Sequence, residues 1–148
     1  MKKVIVAIAL LLSLASYQNV ESSPYPVVVQ KAARYVGKSN PTGTQGSWCA
    51  DFACFVYGKD LPVQPSRSAK ELWNRFQKSG RSVRKPQPGD LIFFWRKNPK
   101  AWQGHVGIVE SVNDKFVTTI EGNVSNRVQR RQYELGSVDR LLGYGRVQ

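Results

Sequence analysis

The chain reads as an α+β protein, with helices packed on one side of an antiparallel sheet. Two observations predict this. Apolar residues recur at helical spacing in stretches that all precede residue 80. Beyond residue 90, short runs of branched and aromatic residues alternate with turn chemistry. Nothing repeats, and 148 residues suit one domain with a single core.

Residues 1–22 stand apart as an expected export signal. Lys2 and Lys3 form a positive head, residues 4–14 are apolar except for Ser13, and small residues follow. Cleavage is expected after Ala15 or Ser22, and residues 23–148 are expected to form one domain. Such a run is short of the roughly 20 residues that span a bilayer, so stable membrane insertion is not expected. The expected location is periplasmic or secreted.

The elements follow in order. A first helix is expected over residues 27–36, after Pro24 and Pro26 and stopped by Gly37. The turn-rich GKSNPTGTQGS then leads to a second helix over residues 49–57, ended by Gly58. A third opens on Ser68-Ala69-Lys70-Glu71, a capping box in which serine and glutamate satisfy free backbone N–H groups reciprocally. It carries Leu72, Trp73 and Phe76 on its apolar side and ends near Lys78, before Gly80. After KPQPGD, strands are expected over residues 91–95, 105–112, 116–121, 127–133 and 142–147.

The net charge is +12, or +11 once residues 1–22 are removed. A charge of this size speaks to partners and solubility, not to fold. The basic residues are scattered and no groove-reading motif appears, so nucleic acid is not an expected partner. For an exported protein the charge suits anionic cell-wall polymers or lipid headgroups, or is simply a solvated positive surface.

The chain has two cysteines, Cys49 and Cys54. In an exported protein an even number first suggests a disulfide. On one helix, however, residues five apart diverge by roughly 140°, and their Cα atoms lie beyond the bridging limit of about 7 Å. Cys54, between Ala53 and Phe55, reads as a small core residue. Cys49 opens the helix, where unpaired N–H groups and the dipole favour a thiolate. Many thiols at helix starts are nonetheless inert.

One histidine, His105, follows a polar loop and heads a strand, which places its ring at a sheet edge. One histidine and two divergent cysteines fall short of a zinc site, so no metal or cofactor is implied. A Cys–His pair needs only one of each. A three-residue turn at Asn113-Asp114-Lys115 would pair Val112 with Phe116, Ile108 with Ile120, Gly107 with Glu121 and His105 with Asn123. This register sets Glu121 and Asn123 on the face of His105, and a one-residue slip would turn Glu121 away.

Taken in order, GSWCADF, PQPGDLIFFW, GHVGIVE and TIEGN resemble the CHAP family (cysteine, histidine-dependent amidohydrolases/peptidases), papain-like enzymes that cut peptidoglycan. The resemblance runs from about Val27 to the C-terminus. Related wall peptidases carry Asp-Cys-Ser-Gly at the nucleophile, where this chain has Trp-Cys-Ala-Asp. It implies Cys49 as nucleophile, His105 as general base, Glu121 orienting the ring and Asn123 as a nearby polar partner. The implied substrate is peptidoglycan, cut at an amide bond by an amidase or an endopeptidase. The other class on this scaffold is a non-catalytic wall-binding or structural protein.

Several residues carry two readings. Gln45 is an oxyanion-binding side chain or a turn residue. Asp51 holds a loop or the histidine, or simply suits the first helical turn. Trp48 and Trp102 flank the catalytic segments as groove-lining candidates, while Trp95 reads as core. Asn123-Val124-Ser125 also matches a glycosylation sequon, accidental if Asn123 is in the site. Families of this kind often pair with a separate wall-binding domain. With none in this sequence, targeting is expected to fall on the domain's own charge, and an inhibitor or immunity protein is a conceivable partner.

Overall fold

A computed structural model describes residues 26–148. The expected export signal lies outside the described residues. Helices α1 (Val27–Ala33), α2 (Cys49–Tyr57) and α3 (Ala69–Lys78) precede strands β1 (Ser82–Val83), β2 (Leu91–Trp95), β3 (Gly104–Val112), β4 (Phe116–Val124), β5 (Arg127–Glu134) and β6 (Leu141–Gly145). The strands form one antiparallel sheet in the order β1-β6-β2-β3-β4-β5. This is the α+β architecture expected. The two-residue β1 is an addition, and α1 stops at Ala33 before turns that run to Gly37.

Helix ends are satisfied across elements. Lys31 on α1 donates to the carbonyls of Phe55 and Val56 at 3.1 and 3.0 Å, two of the free acceptors that end α2. At α3, Ser68 Oγ accepts from Glu71 N at 3.2 Å, but the reciprocal half of the expected capping box is missing. Ser66 takes that place: its hydroxyl accepts from Ser68 N at 3.0 Å and donates to Glu71 Oε2 at 2.7 Å. Glu71 is drawn outward by Arg75 one turn along the helix.

The sheet is buried on both faces. Leu91 and Phe93 meet the helices together with Val106, Ile108, Ile120 and Val128. Ile92 and Phe94 point the other way, into a smaller cluster with Val109, Val117 and Tyr144. Strand β2 is thus apolar throughout rather than alternating. Asp90, just before it, is 1% exposed and pinned by Arg146 Nε at 2.7 Å and by the Gln87 N–H at 2.8 Å.

The β3–β4 hairpin departs from the expected count at its turn. Val112 pairs with Val117, not Phe116, and this alone would turn Glu121 to the wrong face. A bulge at Glu110 absorbs the extra residue and restores Ile108 opposite Ile120. Arg130 holds the bulged carboxylate in a two-pronged pair, its Nε 2.8 Å from Oε2 and its Nη2 2.8 Å from Oε1.

Helix α2 rests directly on β4 because Gly122 has no side chain. A Cβ there would lie 2.7 Å from Phe52 Cβ and 2.9 Å from Trp48 Cζ3. Gly122→Ala is therefore expected to cost about 1–3 kcal/mol through overpacking, read as a lower denaturation midpoint. An unchanged midpoint would mean that α2 can shift freely.

Candidate active site

Cys49 is the first residue of α2 and His105 the second residue of β3. Both are buried, at 4% and 6% exposure. His105 sits near the start of a central strand, flanked by β2 and β4, rather than at the sheet edge expected from sequence. It lies directly opposite Phe94 and so takes the face turned away from the helices. Its ring is 5.9 Å from that of Phe94.

The imidazole is held between two groups. Its Nε2 is 2.7 Å from Glu121 Oε2, and the ring's other side meets the Cys49 thiol in a hydrogen bond. The sulfur also accepts from the Val106 N–H and lies 3.9 Å from Ser47 Oγ. Glu121 is completely buried. Its second oxygen, Oε1, accepts from Thr119 Oγ1 at 2.6 Å and from the Tyr133 hydroxyl at 2.8 Å. Every carboxylate oxygen is therefore occupied, and the glutamate has little freedom to leave the ring.

These contacts set the charges. Burial pushes the Cys49 thiol up, but the hydrogen bond and charge of His105, helped by Ser47 and the Val106 N–H, bring it below its ordinary value. Burial likewise works against a charged His105. Its bonds to Cys49 and Glu121 outweigh this and raise its pKa to about 9. Glu121 is held below the usual carboxylate range, because His105, Thr119 and Tyr133 together overcome its burial. These shifts favour a thiolate–imidazolium pair resting on a carboxylate. Such a sulfur is a nucleophile with a proton donor beside it.

Cys54 differs. Both cysteines are free. Cys54 is half-buried instead of fully in the core, its Sγ donates to the Ser66 carbonyl at 3.7 Å, and burial pushes its thiol up. It remains protonated at neutral pH.

The other residues singled out from sequence divide. Asn123 lines the same cleft as His105, yet its Nδ2 reaches Ser47 Oγ at 3.4 Å rather than the imidazole. Its φ of 61° breaks the strand's alternation at this point. Asp51 accepts from Thr44 Oγ1 at 2.8 Å and from Arg67 Nε at 3.2 Å, and so holds the loop before Cys49 rather than the histidine. Gln45 is exposed, and its carbonyl is held by Arg67 Nη2 at 2.6 Å.

The tryptophans require two corrections. Trp48 is 1% exposed and packs edge-on to Phe52, with Nε1 on Asn126 Oδ1 at 3.2 Å, so it anchors the helix start and does not line a groove. Trp95 is half-buried under the Arg140 guanidinium, not in the core. Trp102 is 75% exposed on the loop before β3.

Sequence reasoning missed Ser47, Thr119 and Tyr133. Thr119 had a signal, since residues two apart on a strand share a face and this one precedes Glu121. Tyr133 had none without the β4–β5 register. Among the described residues, no group of three or more His, Cys, Asp or Glu is placed to hold a metal ion. No helix among them is long and apolar enough to cross a membrane.

The CHAP domain model matches residues 40–123, more than half of the chain and the span from the loop before Cys49 to Asn123. The chain belongs to the CHAP family. Solved structures share the fold of this CHAP domain at low sequence identity. Ly7917 with the hydrolyzing product of MDP aligns at a TM-score of 0.62 and 20% identity, covering 79% of this chain and 60% of that one. A second structure of Ly7917 aligns at 0.58 and 18% identity, with the same coverage. The CHAP domain thus spans about 60% of the length of Ly7917. No curated protein matches it.

Proposed function

We propose that this CHAP domain is an exported cysteine hydrolase of peptidoglycan, acting as an N-acetylmuramoyl-L-alanine amidase or as a stem or cross-bridge endopeptidase. The observation that carries the reading is the line from Cys49 through His105 to the fully buried Glu121. Family membership supports hydrolase chemistry, and a fold neighbour that carries the hydrolyzing product of MDP supports a wall-derived substrate.

The reaction follows from the charges. The Cys49 thiolate attacks the amide carbonyl carbon, and the carbonyl π pair moves onto oxygen. First-turn N–H groups of α2, which have no partner within the helix, stabilise that oxyanion, with Gln45 a candidate side-chain donor. As the C–N bond breaks, imidazolium His105 gives its proton to the departing amine. Neutral His105 then takes a proton from water, whose oxygen attacks the thioester. Acid product leaves, and the thiolate–imidazolium pair is restored. Glu121 keeps the ring oriented and charged. Asn123, through Ser47, positions the wall of the cleft beside the sulfur.

Incubation of the mature protein with purified sacculi, followed by mass spectrometry of the released fragments, tests the reading and names the bond. New amino and carboxyl ends are expected. Iodoacetamide should stop the release through Cys49, whereas EDTA should leave it unchanged. Inhibition by EDTA alone, or intact sacculi, would refute the proposal.

A further inference from the structure

We infer that the cleft beside His105 carries a carboxylate-binding subsite, built by Arg96, Lys97 and Arg131, that selects stem peptides bearing a free carboxylate near the scissile amide. The inference rests on the peptidoglycan reading above and specifies its substrate.

The cleft has a volume of about 460 Å³, room for a few peptide units. Three cations, Arg96, Lys97 and Arg131, line it together with Gln103, His105 and Asn123, and no acidic side chain does. Five of the nine other arginines are paired, while Arg34, Arg81, Arg84 and Arg127 have no carboxylate partner among the described residues. Arg67, Arg75, Arg130, Arg140 and Arg146 each meet a carboxylate. Among the described residues, Arg96 and Arg131 take part in no such pair.

Both stand over aromatic rings instead. The Arg96 guanidinium is 6.0 Å from the centre of Phe94, and that of Arg131 is 5.8 Å from Tyr133. Those rings are 5.1 Å apart, and they also touch the catalytic array, Phe94 beside His105 and Tyr133 on Glu121. A guanidinium stacked on a ring uses its face and leaves its N–H edge free for a planar anion. Lys97 is tied in as well. With its amide oxygen turned toward them, Gln103 accepts from Lys97 Nζ and Trp102 Nε1, each at 3.2 Å.

The three cations share the cleft lining with His105, so the cleft presents concentrated positive charge. A bound carboxylate offsets that charge and places its own chain beside His105 and Cys49. The positive lining also concentrates anionic substrates at the cleft. A carboxamide of the same shape presents one oxygen and two N–H groups to three donors, and is rejected.

The Cys49→Ala protein, titrated with paired soluble muropeptides that differ only by carboxylate or carboxamide on the stem, tests this. The carboxylate form should bind about tenfold more tightly at low salt, the ratio falling as salt rises. Arg96→Gln and Arg131→Gln should each bring the ratio toward unity. A purely structural role would weaken both peptides alike and leave the ratio intact. Equal affinities, absent binding, or a ratio untouched by both substitutions would overturn the inference. So would arginine variants that lose only a glycerol-phosphate polymer, which would assign the cations to wall docking. Wild-type cleavage of sacculi alongside equal affinities retires the subsite alone. If the wild type leaves sacculi intact, the hydrolase reading fails, and the binding ratio still decides the subsite.

Discussion

Cys49→Ala is expected to lose at least about 10⁴-fold in the rate of fragment release from sacculi, with the fold intact. The covalent route passes through this sulfur, and no neighbouring group replaces it. Ser47 Oγ is 3.9 Å away and faces Asn123, while Cys54 is bonded to the Ser66 carbonyl with a raised pKa. Cys54→Ala supplies the control. It removes a half-buried thiol outside the catalytic array and should retain most of the wild-type rate. Substantial turnover by Cys49→Ala, or equal loss in both variants, would end the cysteine mechanism.

Glu121→Gln should lower kcat by about 10²–10⁴-fold and change the pH profile in a specific direction. In the wild type, activity falls on the acid side as the Cys49 thiolate takes up a proton, below the ordinary thiol range. It falls on the alkaline side as pH passes about 9, where His105 loses the proton needed by the leaving amine. Glu121 favours the imidazolium. Removing its charge lowers the His105 pKa, so the alkaline limb moves to lower pH. Glutamine also has a single oxygen, and cannot accept from His105, Thr119 and Tyr133 across two positions as the carboxylate does. A measured kcat profile with an unmoved alkaline limb would show that the carboxylate does not set the charge of the ring.

Much of the fold was legible in local chemistry. Helix α2 begins at Cys49 and ends before Gly58 as expected, and β2 spans the expected residues 91–95. These elements have strong stop signals and matching periodicity. Where a side chain had a competing partner nearby, the local reading erred. The capping box at α3 yielded to Ser66 and Arg75. Trp48, placed in a groove by its neighbours in sequence, is instead buried against Phe52 and Gly122. The sheet's second apolar cluster and β1 were not anticipated, because both depend on which strands adjoin β2 and β6.

The hairpin shows where sequence reading stops. Pattern matching brought Glu121 to the face of His105, and the carboxylate is there. The counted turn was one residue out, and only the bulge at Glu110, clamped by Arg130 from a third strand, corrects the parity. An alternation of two residues records which side chains want a common face, but not how many residues lie between them. In the same way, an apolar helix start and one histidine mark the nucleophile and base as candidates within the chain itself. Their charges come from contacts between residues far apart in sequence: Cys49 with His105, and Glu121 with Thr119 and Tyr133. Burial without those partners would have left both the thiol and the imidazole neutral.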